Sequence, residues 1–163
     1  MASIDAALEL ARDLDCGLVH VVSGVGDGEA AREAYEGALE YACDVADDGT
    51  TIGIEPISRD VAEGYFLNSF DLAAEIIQDF ARPNLGMIYD FYHAHLMGID
   101  PLEGYRPISN HICAVQICGL PGRNEPTEVE LTYVEEIGKS GYDGPIGAEY
   151  LPTDMSAGWL KYI

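Results

Sequence analysis

Lysine is almost absent from this sequence. It occurs only at Lys139 and Lys161, and eight basic residues in all stand against 29 acidic ones, for a formal net charge of −21. A chain so poor in positive charge has no means of gripping nucleic acid phosphates or an anionic lipid surface, so neither is expected as a partner. Long apolar runs are missing too. The longest, such as those at 18–22 and 114–117, fall far short of the roughly 20 residues that span a bilayer. The first residues, MASIDAALELARDLDCG, show no basic segment leading into an apolar core. They are expected to form an amphipathic helix and not a secretory signal. The four cysteines, Cys16, Cys43, Cys113 and Cys118, show no CxxC spacing. The expectation is free thiols in a reducing cytoplasm.

What is present is an ordinary globular composition, 48% hydrophobic over 163 residues, with the acids spread along the whole length. One domain is the default for this size, long enough to bury a good core. Dispersed acids with few lysines suggest adaptation to high salt, where self-repulsion is screened.

Apolar runs alternate with helical periodicity. GLVHVVSG (17–24), TIGIEP (51–56), LGMIYD (85–90), HICAVQICG (111–119) and PIGAEY (145–150) read as strands. Residues 29–47, 69–80 and 128–140 read as helices, the second with Ser69 as N-cap. A helix-containing stretch runs through HAHLMG and LEGYRPI, and the tail around Trp159 reads as a partial closing helix. Strand–helix units in series imply a parallel sheet with right-handed crossovers. Periodicity alone leaves a barrel and an open doubly wound sheet equally open.

The acids discriminate. Glu55 in IGIEP, Asp90 in GMIYD and Glu149 in IGAEY each end an apolar strand, and Gln116 lies toward the end of another. A carboxylate there is costly unless paired or ligated. Any one of them, alone, is as readily a helix cap or an arginine partner. Three aimed at one face of a sheet point to the face on which (β/α)₈ barrels build active sites. Three carboxylates and an amide oxygen make a hard donor set, better suited to Mg²⁺ or Mn²⁺ than to zinc. His93 follows Asp90 by three residues, where the strand would leave the sheet, and Arg123 sits in the loop LPGRNEP overhanging the same face. His20 lies among valines and reads as a core or pocket histidine; as a pocket residue it counts among the substrate contacts. His95 reads as a surface helix residue.

At these residues the sequence resembles the hydroxypyruvate isomerase family, within the xylose-isomerase-like sugar isomerases and epimerases. The matching segments are IGIEPIS with GYFL behind it, PNLGMIYDFYH, VQICGLPGRNEP and GYDGPIGAEY, in the family's order across nearly the whole chain from residue 18. The resemblance implies an α/β fold of the (β/α)₈ TIM-barrel type, here about five βα units matching family strands four to eight. Residues 1–163 are then expected to be a single partial domain without the first three units. A fragment is the favoured explanation, and pairing with a second copy or a separate N-terminal half is the alternative. The resemblance further implies that Glu55, Asp90, Gln116 and Glu149 hold the divalent metal and that Glu55 and Glu149 transfer protons. His93 and Arg123 would contact substrate oxygens. The expected reaction converts a small hydroxy-keto acid, hydroxypyruvate, to tartronate semialdehyde through an enediolate.

Some positions depart from the family pattern. Ala114 stands where the family usually has His, Cys118-Gly119 where it has Ala-Asp, and EPTEVE replaces EPGTGE while keeping Glu125 and Glu130. These changes leave other readings open on the same scaffold: a sugar epimerase, a 2-oxo-tetronate isomerase or an inosose-dehydratase-like enzyme. A reading of another class is an inactive half-barrel that serves only for association. An endonuclease of this superfold would need more than four histidines and a basic groove.

The charge balance generates the first prediction. Circular dichroism is expected to show the chain losing structure in low salt and regaining it in molar KCl, where the screening length falls to about 3 Å. Equal stability across that range would show an ordinary acidic protein.

Overall fold

A computed structural model describes residues 1–153, so the expected helix around Trp159 lies outside the described residues. The chain divides into two compact units, Met1–Ile88 and Tyr89–Ile163.

The first unit opens with helix α1 (Ala2–Asp13), which buries Ile4, Leu8 and Ala11 on one face, at helical spacing. Strand β1 (Leu18–His20) follows, then α2 (Gly28–Val45), whose buried side is Tyr35, Leu39, Ala42 and Cys43. Strand β2 (Thr51–Ile54) pairs parallel with β1, Val19 lying opposite Ile52. Helix α3 (Phe70–Phe80) begins at Ser69, whose hydroxyl accepts from the Leu72 N–H at 3.1 Å, as the sequence suggests. Such a cap is worth about 1 kcal/mol. Strand β3 (Leu85–Asp90) then pairs parallel with β2, Gly53 opposite Gly86. Every residue of β3 is buried, which explains its unbroken apolar run up to Asp90.

The unit's few cations are shared among many acids. Arg32 reaches Glu36 at 2.6 Å, Glu75 at 2.7 Å and Asp79 at 3.4 Å, joining α2 to α3. Arg12 meets Asp47, and Arg82 meets Asp44, each at 2.7 Å.

The second unit begins with the last two residues of β3. Helices α4 (Phe91–Leu96) and α5 (Pro101–Ile108) follow, then a single 3₁₀ turn, Ser109–His111. Strand β4 (Ile112–Ile117), helix α6 (Glu128–Lys139) and strand β5 (Ile146–Ala148) complete it, β4 pairing parallel with β5, Gln116 opposite Gly147. Tyr89 packs edge-on against Phe91 and Tyr105, with ring centroids 5.8 and 5.9 Å apart, and donates its hydroxyl to the Pro101 carbonyl at 3.0 Å. Those aromatics surround the strand end that carries Asp90.

Except for β3, the strands are shorter than the apolar runs suggest. The first run ends as a strand at His20, so His20 is a terminal, half-exposed residue and not a mid-strand one. The Val21 N–H still donates to the Gly53 carbonyl of β2 at 2.9 Å, and beyond it the backbone turns to loop contacts: the Phe66 N–H donates to the Gly24 carbonyl at 3.0 Å and the Gly26 N–H to the Gly64 carbonyl at 3.0 Å. Among the described residues no helix is long and apolar enough to cross a membrane.

Gly53 has a packing reason. A Cβ there would lie 2.9 Å from Cγ1 and Cδ1 of Ile88 and 3.1 Å from Cδ1 of Leu18. Gly53→Val is therefore expected to destabilise the chain by about 1–3 kcal/mol in a denaturant titration, through overpacking beside Glu55. An unchanged midpoint would show that Ile88 yields freely.

Candidate active site

The residues singled out from the sequence fall into two groups, His20 and Glu55 in the first unit and Asp90, His93, Gln116, Arg123 and Glu149 in the second. Each group is built by the local chain.

Glu55 follows β2 directly and is 5% exposed. Its Oε2 lies 3.6 Å from Nδ1 of His20. Burial lowers the His20 pKa, so the imidazole is neutral at neutral pH and the contact is not an ion pair. The flanking segments are tied to each other. The Ser23 N–H donates to the Tyr65 hydroxyl at 3.1 Å, and the Leu67 N–H donates to Ser23 Oγ at 3.0 Å. Tyr65, Phe66 and Leu67 of the GYFL segment are buried there, which gives that motif a structural role.

Asp90 ends β3 and its side chain is 1% exposed. Oδ1 accepts from the Tyr92 N–H at 2.8 Å, capping α4. Oδ2 is buried and has no hydrogen-bond partner. It lies 3.7 Å from Nε2 of His93 and 3.6 Å from Nη2 of Arg123. Burial pushes the Asp90 carboxyl up to about 7, against the opposing pull of the Tyr92 N–H and the Arg123 charge; Glu149 adds to the rise. His93, also buried, is pushed down to about 4, by burial first and then by Arg123. It is a neutral imidazole at neutral pH.

Gln116 on β4 donates from Nε2 to Glu149 Oε2 at 2.6 Å, while its Oε1 is buried without a partner. The other Glu149 oxygen accepts from Arg123 Nη2. Glu149 stands at the end of β5, about half exposed, and its N–H donates to the Ile117 carbonyl at 3.0 Å, extending the β4–β5 ladder. Arg123 has a left-handed backbone (φ 55°), and its guanidinium lies 4.8 Å above the Tyr92 ring. That geometry adds a cation–π attraction to its two carboxylate contacts.

The structure thus brings all five second-unit residues into one polar cluster. His95, by contrast, is exposed on α4, as the sequence suggests. Two residues of this unit carry weight that sequence reading leaves unassigned. Tyr92 donates its N–H to the Asp90 carboxyl and underlies Arg123, and nothing in the sequence separates it from its aromatic neighbours. Glu130 is 2% exposed and joins Thr127 in a capping box. The T-x-x-E spacing before an apolar stretch is the signal for that pairing.

Two buried oxygens without partners, Asp90 Oδ2 and Gln116 Oε1, are costly in a protein that binds nothing there. Hard oxygen donors in that state fit a divalent cation of the Mg²⁺ or Mn²⁺ type.

Fold and cluster together define a class, a partial TIM barrel of parallel βα units with polar residues at its strand ends. The solved AP endonuclease, family 2, from Brucella melitensis superimposes with a TM-score of 0.87 at 31% identity, covering 98% of this chain and 66% of that one. Residues 1–162 match the model of the xylose isomerase-like TIM barrel family, and the chain belongs to it. It is 34% identical over 176 residues to a putative hydroxypyruvate isomerase of Drosophila melanogaster, covering 99% of this chain. It is 35% identical over 170 residues to a 2-oxo-tetronate isomerase of Cupriavidus necator, covering 98%. The chain spans 66% and 65% of those relatives' own length.

The raised Asp90 pKa has a definite sign. Folded Asp90 keeps its proton to about pH 7, whereas an unfolded aspartate keeps it only to about 3.9. Its stabilising contribution is full below the unfolded value and is lost as pH rises through the folded one. With chelator present, the melting temperature of Asp90→Asn relative to the parent is expected to climb between about pH 4 and about pH 7. A difference that stays flat would contradict the buried, proton-holding carboxyl.

Proposed function

We propose that this chain carries the catalytic residues of a metal-assisted isomerase of a small hydroxy-keto acid, with hydroxypyruvate as substrate and tartronate semialdehyde as product. The observation that carries this reading is the Asp90–His93–Gln116–Arg123–Glu149 cluster with its two unpartnered buried oxygens. The names of the relatives support the same reaction class.

The reaction shifts a carbonyl by one carbon. A proton leaves the hydroxyl-bearing carbon and one is delivered to the former carbonyl carbon, while the hydroxyl proton passes between the two oxygens. The species between is an enediolate. A divalent cation, Mg²⁺ or Mn²⁺, would be held by Asp90, Gln116 and Glu149 and would supply positive charge to stabilise negative substrate oxygens. Arg123 binds the substrate carboxylate; its Nη2 meets Glu149 and Asp90, and a guanidinium has five N–H donors. Neutral His93 hydrogen-bonds a substrate oxygen without bringing a second positive charge beside Arg123. His20 is assigned a further substrate contact. Glu149 and Glu55 are assigned the proton transfers, each a carboxylate at a strand end. A four-carbon oxo acid presents the same carboxylate, carbonyl and hydroxyl to these residues, so substrate length is read as a matter of pocket size. The four cysteines lie outside any disulfide, in keeping with a cytoplasmic enzyme.

Calorimetric titration with Mn²⁺ in molar KCl tests the reading. Micromolar binding is expected, weakened at least about tenfold in Asp90→Asn through loss of a charged ligand. A coupled assay is then expected to show hydroxypyruvate turnover that depends on Mn²⁺. Binding indifferent to Asp90 would overturn the assignment.

A further inference from the structure

We propose that Glu130 is a positioning residue, a buried clamp that holds the Arg123 loop so that the guanidinium meets Asp90 and Glu149. The inference rests on the reading of Arg123 as the group that binds the substrate carboxylate. Glu130 is the third residue of α6 and is 2% exposed. A carboxylate at that depth has to be hydrogen-bonded. Its bonds run in two directions. Oε2 accepts from the Thr127 N–H at 2.8 Å and from the Thr127 hydroxyl at 2.6 Å. Oε1 accepts from the backbone N–H of Leu120 at 3.2 Å, ten positions back in the chain.

The first set closes a capping box and serves α6 alone. The bond to Leu120 has no part in capping the helix. It ties the start of the loop to the residue that secures its end. The loop also closes on itself, the Gly119 N–H, just before the first anchor, donating to the Asn124 carbonyl at 2.8 Å. Arg123 occupies the left-handed turn inside it, and its carbonyl accepts from the Leu151 N–H at 2.7 Å, two residues beyond Glu149. One carboxylate therefore sets both ends of the segment that presents the guanidinium. A turn held at one end only would let Arg123 swing off Tyr92 and away from Asp90.

Glutamine at this position separates the two jobs. Its carbonyl oxygen has two acceptor sites, enough for the N–H and O–H of Thr127, so the capping box survives. Its NH₂ then faces the Leu120 N–H, donor against donor. In Glu130→Gln the Leu120 amide is expected to exchange with solvent at least about tenfold faster, and the Arg123 Nε–H resonance to broaden or vanish. In the full enzyme, KM for hydroxypyruvate is expected to rise about tenfold with a smaller change in kcat. Thr127→Ala, which removes only the cap hydroxyl, is expected to lower the melting temperature and move none of these. Should Glu130→Gln fail to fold, Glu130→Asp replaces it, one methylene too short to reach Leu120. The clamp is refuted if the exchange rate and the Arg123 resonance are unchanged in the variant, or if Thr127→Ala alters them equally. Faster exchange with KM unmoved refutes the positioning role. Absence of hydroxypyruvate turnover in the parent enzyme refutes the functional reading instead, and the resonance measurements still decide the clamp.

Discussion

The burial of Asp90 is the constraint around which the second unit is arranged. An aspartate at 1% side-chain exposure has lost its hydration, and an uncompensated charge there is not tolerated. Compensation comes from three sides: the Tyr92 N–H on one oxygen, and the neighbouring His93 and the distant-in-sequence Arg123 near the other. It is incomplete, since Oδ2 keeps no hydrogen bond and the carboxyl is still pushed up to about 7. An oxygen left in that state gains a great deal from a cation and a great deal from a proton, and little from anything else. The same burial keeps His93 neutral, so that the cluster's positive charge resides on Arg123.

The electrostatics outside the cluster work in the opposite sense. The surface carries a large excess of negative charge, and the few arginines are shared, as Arg32 is among Glu36, Glu75 and Asp79. Exposed pairs of this kind contribute little individually. Their value lies in reducing repulsion between α2 and α3, where acids face one another. A small anion approaching such a surface is repelled at long range, and within the second unit's cluster the attraction for one comes from Arg123.

Much of this was legible in the residues themselves. Strand β3 begins and ends where the LGMIYD run does, because a strand buried on both faces reads as a continuous apolar segment. Helix α3 starts after Ser69 because a hydroxyl before an apolar periodic stretch is a start signal. The acids at strand ends were visible for the same reason, since a charge interrupts an otherwise apolar run. Strand β1 was overestimated: apolar character continues through Val21 and Val22, but after the Val21 N–H donates to Gly53 the backbone turns off, and at Gly24 and Gly26 it bonds to a loop from far along the chain. The place of Tyr92 under Arg123 and the bond of Glu130 to Leu120 were hidden, because each joins partners that no local pattern pairs.

The amino-acid sequence by itself determined the alternation of strands and helices, the family, the acidic surface and the residue types available for chemistry. These follow from periodicity, composition and short motifs, all of them local along the chain. Only the tertiary structure decided which of those residues share an environment. It set Arg123 over Tyr92 and beside Glu149, joined Gln116 to Glu149, and left Asp90 Oδ2 and Gln116 Oε1 without partners. The reason is physical: hydrogen bonding, desolvation and the pKa shifts they produce depend on distances between groups 26 or 33 residues apart, and those distances exist only once the chain has folded.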